Sequence, residues 1–226
     1  MIGCDKCDGK GYIHINPVEV STCECTKRNA IYSHFLEAGI PKKLSNFTIE
    51  DWNTKQDSSG KDLTPKQISV KKAAFEIIYQ IYKNTRFPFV PMNVDGASYS
   101  SLILTGPRGS GKSFVLSILA KRAIKQGGAV KYYDWFDLAM SLDRYDNKSE
   151  LDQIVADFEE KDLILIDGIE KITLNNMPKN QLARVFKKRY NDNMLTICTT
   201  NDVLCSDNLF PGWCDFCEDS LTTRLL

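Results

Sequence analysis

Eight consecutive residues, Gly106-Pro107-Arg108-Gly109-Ser110-Gly111-Lys112-Ser113, fit the pattern of a glycine, four variable residues, then Gly-Lys-Ser/Thr. Those residue types at that spacing suit the holding of a nucleoside triphosphate. The glycines let the backbone turn tightly enough for successive N–H groups to converge on phosphate oxygens. Lys112 brings a positive charge to the outer phosphates and Ser113 a hydroxyl to Mg²⁺. Phe114 continues into a helix whose N-terminal end adds partial positive charge. A chance glycine-rich turn is the alternative. An apolar run enters the motif and an amphipathic stretch leaves it, which is the context a phosphate loop requires. ATP and Mg²⁺ are the cofactors expected here.

Further along, Asp162-Leu-Ile-Leu-Ile-Asp167 is an apolar strand ending in a carboxylate. Asp167 is expected beside the loop, holding Mg²⁺ together with Ser113. The alternative is a cap on the Asp-Gly turn that follows. A hydrolysing enzyme of this plan carries Glu directly after that Asp, whereas this chain has Gly168. Glu170 is the candidate to polarise the attacking water; if it does not reach, the protein binds ATP firmly and turns it over slowly. Residues 195–201 read as a strand with a polar end, and strand carboxyl ends face the ligand crevice in a parallel sheet. Asn201 or Thr200 is therefore a candidate for γ-phosphate contact, with an ordinary strand-to-loop transition as the alternative. Arg224, in LTTRLL, is either solvated or placed to reach a neighbouring subunit's nucleotide. The candidate catalytic set is Lys112, Asp167, Glu170, Asn201 and Arg224.

A second chemistry sits at the other end of the chain. Cys4-x2-Cys7 and Cys23-x-Cys25 can bring four thiolates to one tetrahedral Zn²⁺. So short a segment has little apolar content of its own, and a metal would supply its folding energy. Free or redox thiols are the alternative, and His14 and His34 are spare ligands. Cys198 reads as a small buried hydrophobe within a strand. Cys205, Cys214 and Cys217 read as reduced packing or surface thiols, or as part of a second metal site.

The elements that must carry these groups follow from periodicity. Thr64-Pro65 starts a helix marked by Ile68, Ala74, Phe75, Ile78 and Tyr82. A proline-broken loop follows, and strands are expected over 101–105, 129–134, 162–167 and 194–200. Helices are expected over 114–125, 135–142, 149–159 and 179–191. Strands alternating with helices imply a parallel sheet covered on both faces, a three-layer α/β/α fold. The expected divisions are a Cys-rich zinc-binding head at 1–35, a linker and pre-core segment at 36–66 with the polar run NTKQDSSGKD, and an ATP-binding core at 67–226. Hydrophobic residues at 42% and charged residues at 26% exclude a disordered chain. Lys+Arg and Asp+Glu both number 29, so a nucleic-acid surface must be a local patch. No apolar run approaches the ~20 residues that span a bilayer, and the first ten residues carry no apolar signal region. A cytoplasmic location without a membrane partner is expected.

In their order, these motifs resemble the DnaC/DnaI-type helicase loaders and the related IstB-type transposition ATPases, a branch of the AAA+ proteins. The resemblance runs over about 36–226, through AGIPKKLSNFTIEDW, GPRGSGKS, VKYYDWFDLAMSL, DLILIDGIE, LARVFKKRY…TICTTN and LTTRLL. It implies an AAA+ core in which Lys112 and Ser113 bind phosphates and Mg²⁺, Asp167 holds the metal, Asn201 is the first sensor and Arg224 the trans-acting finger. It also implies a replicative helicase and single-stranded DNA as partners, in a homo-oligomer or a helicase-bound ring or spiral. The Cys-rich head resembles the zinc-binding heads of some loaders. Two departures stand out: Gly168 replaces the catalytic Glu, and the chain stops two residues after Arg224, without a helical lid. Lys121, Arg122 and Lys125 are candidates for DNA contact, or equally a solvated helix face. The other functional classes to weigh are a transposition ATPase, a non-hydrolysing ATP-dependent interaction module and a small-molecule kinase.

Overall fold

The computed structural model describes residues 4–56, 59–84, 86, 92–94, 97–99, 101–143, 148–169 and 176–201. The chain opens with a turn over residues 4–11 and an antiparallel hairpin, β1 (Tyr12–His14) and β2 (Val20–Thr22). Asn16 shapes the hairpin loop, its Oδ1 accepting the N–H groups of Val18 and Glu19 at 3.0 and 2.8 Å. Helix α1 (Glu24–Glu37) follows, with Cys23 at its N-cap and no side-chain cap bond. Its far end is fixed by packing: Phe35, Ala38, Ile40 and Leu44 all lie in the main hydrophobic cluster. The border expected at residue 35 therefore falls inside a helix, and part of the expected linker is buried.

Two short 3-10 turns, Lys42–Leu44 and Ile49–Asp51, lead to α2 (Pro65–Asn84). Thr64 and Gln67 form a reciprocal cap on α2. The Thr64 N–H donates to Gln67 Oε1 at 2.9 Å and the Gln67 N–H to Thr64 Oγ1 at 3.4 Å. Where the sequence suggests only a proline-broken loop, a small hairpin pairs β3 (Met92–Val94) with β4 (Ala97–Tyr99). The regular core then runs β5 (Ser101–Thr105), α3 (Lys112–Lys125), β6 (Val130–Asp134), α4 (Trp135–Asp143), α5 (Lys148–Glu160), β7 (Leu163–Asp167), α6 (Asn176–Asn191) and β8 (Leu195–Thr200).

The four core strands are all parallel, in the order β5-β8-β7-β6. β7 shows why the fold has three layers. Successive side chains of a strand point to opposite faces, and β7 is apolar at every position but its last. Leu163 and Leu165 join a cluster with α1, α2 and α3. Ile164 and Ile166 join another with α4, α5 and α6. Each apolar side chain so buried contributes about 1.5–3 kcal/mol.

One charge is built into this framework. Arg189 of α6 is 1% exposed. Its guanidinium donates to the carbonyls of Phe158, Lys161 and Leu195 at 2.7, 2.8 and 2.6 Å and to Thr196 Oγ1 at 2.8 Å. Burial pulls its pKa down to about 10, so the group stays charged at neutral pH. It ties the ends of α5 and α6 to the start of β8. Among the described residues, no helix is long and apolar enough to cross a membrane.

Candidate functional site

The loop between β5 and α3 owes its shape to glycine. Gly106, Gly109 and Gly111 have φ of +149°, +81° and +101°. Gly111 is also the N-cap of α3, and its carbonyl accepts the Val115 N–H at 3.0 Å, so the left-handed turn starts the helix directly. Gly106, Pro107 and Ser110 form the backing of the loop, with the Ser110 N–H donating to the Pro107 carbonyl at 3.2 Å. Arg108, Gly109, Gly111, Lys112, Ser113 and Phe114 line a cavity of about 640 Å³. The Lys112 ammonium donates to the carbonyls of Gly106 and Pro107 at 2.7 and 3.0 Å and to Asn201 Oδ1 at 2.9 Å. Residues 89 apart in the chain thus meet at the C-terminal edge of the sheet. Partial burial lowers the pKa of Lys112, and the nearby Asp167 charge opposes that shift.

Asp167 lies at the end of β7, lining the same cavity as Lys112 and Ser113. Both its oxygens are engaged. Thr199 donates its hydroxyl to Oδ1 at 2.5 Å, and Tyr132 donates its phenol to Oδ2 at 2.7 Å. Burial first, then the Asp167 charge, push the Tyr132 pKa far upward, so the phenol remains a proton donor. The next two residues are stitched to β8: the Gly168 N–H donates to Thr199 Oγ1 and the Ile169 N–H to the Thr199 carbonyl, each at 2.7 Å. Gly168 has φ +74°, in the left-handed region. The missing carboxylate therefore coincides with a backbone that disfavours any side chain there. Glu170 and Arg224 lie outside the described residues. Hydroxyl, carboxylate and lysine together form an oxygen-rich, partly positive pocket that fits a triphosphate with its Mg²⁺.

The opposite wall comes from the pre-core segment. Leu44, Phe47, Asp51, Trp52, Asn53 and Gln56 line the cavity, with Lys43 and Lys71. The Trp52 ring lies 3.6 Å from where a Cβ on Gly111 would sit. It packs on Phe75 and Phe114 at 5.7 and 5.6 Å between ring centroids. Aromatic residues in an aperiodic stretch were the available signal for this wall, and the motifs alone did not single out Phe47, Trp52, Tyr132 or Thr199. Lys121 donates to the Phe47 carbonyl at 2.5 Å and lies over the Phe35 ring, and Arg122 lies over Tyr82. Both hold the pre-core segment and α2 to α3, which favours the non-DNA reading of that helix face.

The four head cysteines converge as expected. Their Sγ atoms all lie within 4.8 Å of one another, with Cys4–Cys23 at 3.8 Å and Cys7–Cys25 at 3.4 Å. A tetrahedral zinc with Zn–S bonds of about 2.3 Å places its sulfurs about 3.8 Å apart, so the set fits the ion. The Gly11 N–H donates to Cys7 Sγ at 3.4 Å and pulls its pKa down to about 7, while Cys7 and the other thiols push Cys25 up to about 12. His14 and His34 are not part of the cluster. Cys198 is buried in β8, and Cys205, Cys214 and Cys217 lie outside the described residues.

Parallel strands, a glycine loop opening a helix, and Lys112, Asp167 and Asn201 around one cavity define a P-loop nucleotide-binding protein. Residues 96–226 match the family model of the IstB-like ATP binding protein, and the chain belongs to that family. Among curated proteins none matches it in sequence. Among solved structures it is similar to the replication initiator DnaA bound to AMPPCP and single-stranded DNA, with 16% identity and TM-score 0.58 over 80% of this chain and 49% of that one. It is also similar to the DnaC helicase loader, with 17% identity and TM-score 0.50 over 79% of this chain and 87% of that one. For DnaI the values are 14% and 0.50, over 73% and 77%. At these identities the likeness is one of fold, an AAA+ fold of the IstB/DnaC type. The chain spans about half the length of the initiator structures.

Proposed function

We propose that this ATP-binding protein is a DNA-replication accessory factor that places a replicative helicase on single-stranded DNA, with ATP as an assembly switch. The observation that carries this reading is the meeting of Lys112, Asp167 and Asn201 at one cavity in a fold shared with DnaC over most of that loader's length. On this reading the loop N–H groups and Lys112 hold the phosphates, Ser113 and Asp167 hold the Mg²⁺, and the metal when bound neutralises phosphate charge. Asn201, already in contact with Lys112, reports the state of the outer phosphate to β8. Arg224 enters the site of a neighbouring subunit and favours the assembled state. The four thiolates fold the head around Zn²⁺, which presents it to the helicase.

Gly168 gives the reading its character: without a carboxylate there, turnover is slow and the bound state persists. The family match itself favours a second reading, in which the same switch recruits a transposase. Pull-down of the tagged protein with ATP, ADP or no nucleotide separates the two. Recovery of a replicative helicase with ATP alone supports the loader, and recovery of a transposase replaces it. Arg224→Ala is expected to leave monomer ATP affinity unchanged and to abolish nucleotide-dependent assembly in sedimentation; assembly at the native level would remove the finger role.

A further inference from the structure

We propose that Tyr132 and Thr199 are positioning residues for Asp167, gripping its carboxylate from the two neighbouring strands so that its remaining lone pairs face the metal. The proposal rests on the Mg²⁺–ATP reading of the cavity. In the sheet order β8-β7-β6, Asp167 ends the middle strand, Tyr132 lies on one neighbour and Thr199 on the other. Each carboxylate oxygen receives one O–H donor, which fixes the rotation of the group and leaves about half of its four acceptor positions for a cation.

The direction of the Thr199 bond is settled by its surroundings. Its oxygen accepts the Gly168 N–H at 2.7 Å, and because a carboxylate can only accept, the Thr199 hydrogen is the one that bridges to Asp167. Tyr132 is 6% exposed and is held at its backbone too, its N–H donating to the Ala38 carbonyl at 2.7 Å. Neutral donors also suit the task. A lysine or arginine paired with Asp167 would cancel the charge that attracts a dication, whereas hydroxyls orient the carboxylate and leave that charge in place.

Fluorescence titration of a methylanthraniloyl-ATP probe tests this, run in EDTA and across a Mg²⁺ series. For Tyr132→Phe and Thr199→Val the Mg²⁺ concentration that gives half of the affinity gain is expected to rise about tenfold, the size of one lost hydrogen bond to a charged group. Affinity in EDTA should stay within about twofold of native, and Thr199→Ser, which keeps the hydroxyl, should restore the native Mg²⁺ response. An unchanged Mg²⁺ midpoint in Tyr132→Phe would overturn the proposal. So would an equal loss with and without Mg²⁺, because that marks a residue serving only the fold. If the native protein bound the probe with no Mg²⁺ dependence, the nucleotide reading itself would fall, and this inference with it.

Discussion

The phosphate loop and the cysteine head both gather ligands from distant points of the chain, but by opposite means. Around the loop, the sheet and its helices fix Lys112, Asp167 and Asn201 before anything binds, and even the lysine has three acceptors waiting. The head has almost no apolar interior of its own. Its buried cluster consists of Cys7, Cys23 and Cys25, with Cys4 packed against it, while Tyr12, Ile15, Val18 and Val20 are exposed. If the four thiols hold zinc, the first site is organised by the protein and the second by its ligand. Metal binding and folding should therefore be one event in the head, whereas nucleotide binding and folding are separable in the core.

The sharpest break between the two comes from taking the metal away. Chelation under reducing conditions, or Cys4→Ser, is expected to abolish ordered amide signals from residues 4–22 while the core keeps its melting transition. Structural zinc binding is worth about 10–16 kcal/mol in small zinc domains, so the loss should be complete. A head that stays ordered without metal would erase the contrast. Next in size, Arg189→Met strands carbonyls of Phe158, Lys161 and Leu195 and should destabilise the core by about 3 kcal/mol in urea titrations, with the zinc content unchanged. Lys112→Ala sharpens the other side: about a hundredfold weaker ATP binding with little change in stability, read by calorimetry and thermal melting. Native ATP affinity in that variant would remove the loop assignment. The smallest effect belongs to Gly168→Glu, which should cost about 1–2 kcal/mol through its left-handed backbone and bring no gain in phosphate release. Turnover rising in that variant would mean the turn accepts a working carboxylate after all.

The same contrast governs what could be read from the sequence. The loop, β7 and the cysteine spacing were legible because each is a local pattern: glycine punctuation, an unbroken apolar run, paired thiols. The β7 strand was expected over 162–167 and lies over Leu163–Asp167. Tyr132 was not legible as a partner of Asp167. In VKYYD two adjacent tyrosines look alike, and only the sheet sends one to Asp167 and the other to Asp157, each at 2.7 Å. Trp52 sits in a stretch without periodicity, and its value comes from α2 and α3 closing over it. Helix α1 was hidden as well, because it turns so few apolar residues inward: Phe35 is buried and Ile31 packs partly against it.

That helix bears on how the two regions can be taken apart. It is 14 residues long, about 21 Å, with thiols at its first turn and Phe35, 1% exposed, near its last. A deletion ending at residue 35 would sever it and pull an aromatic plug from the core, at a cost of about 3–5 kcal/mol. The shortened protein would report a punctured interior, and any lost activity would be blamed on the wrong half. A cut ahead of Cys23 leaves the plug seated, and only then does the phenotype belong to the missing head.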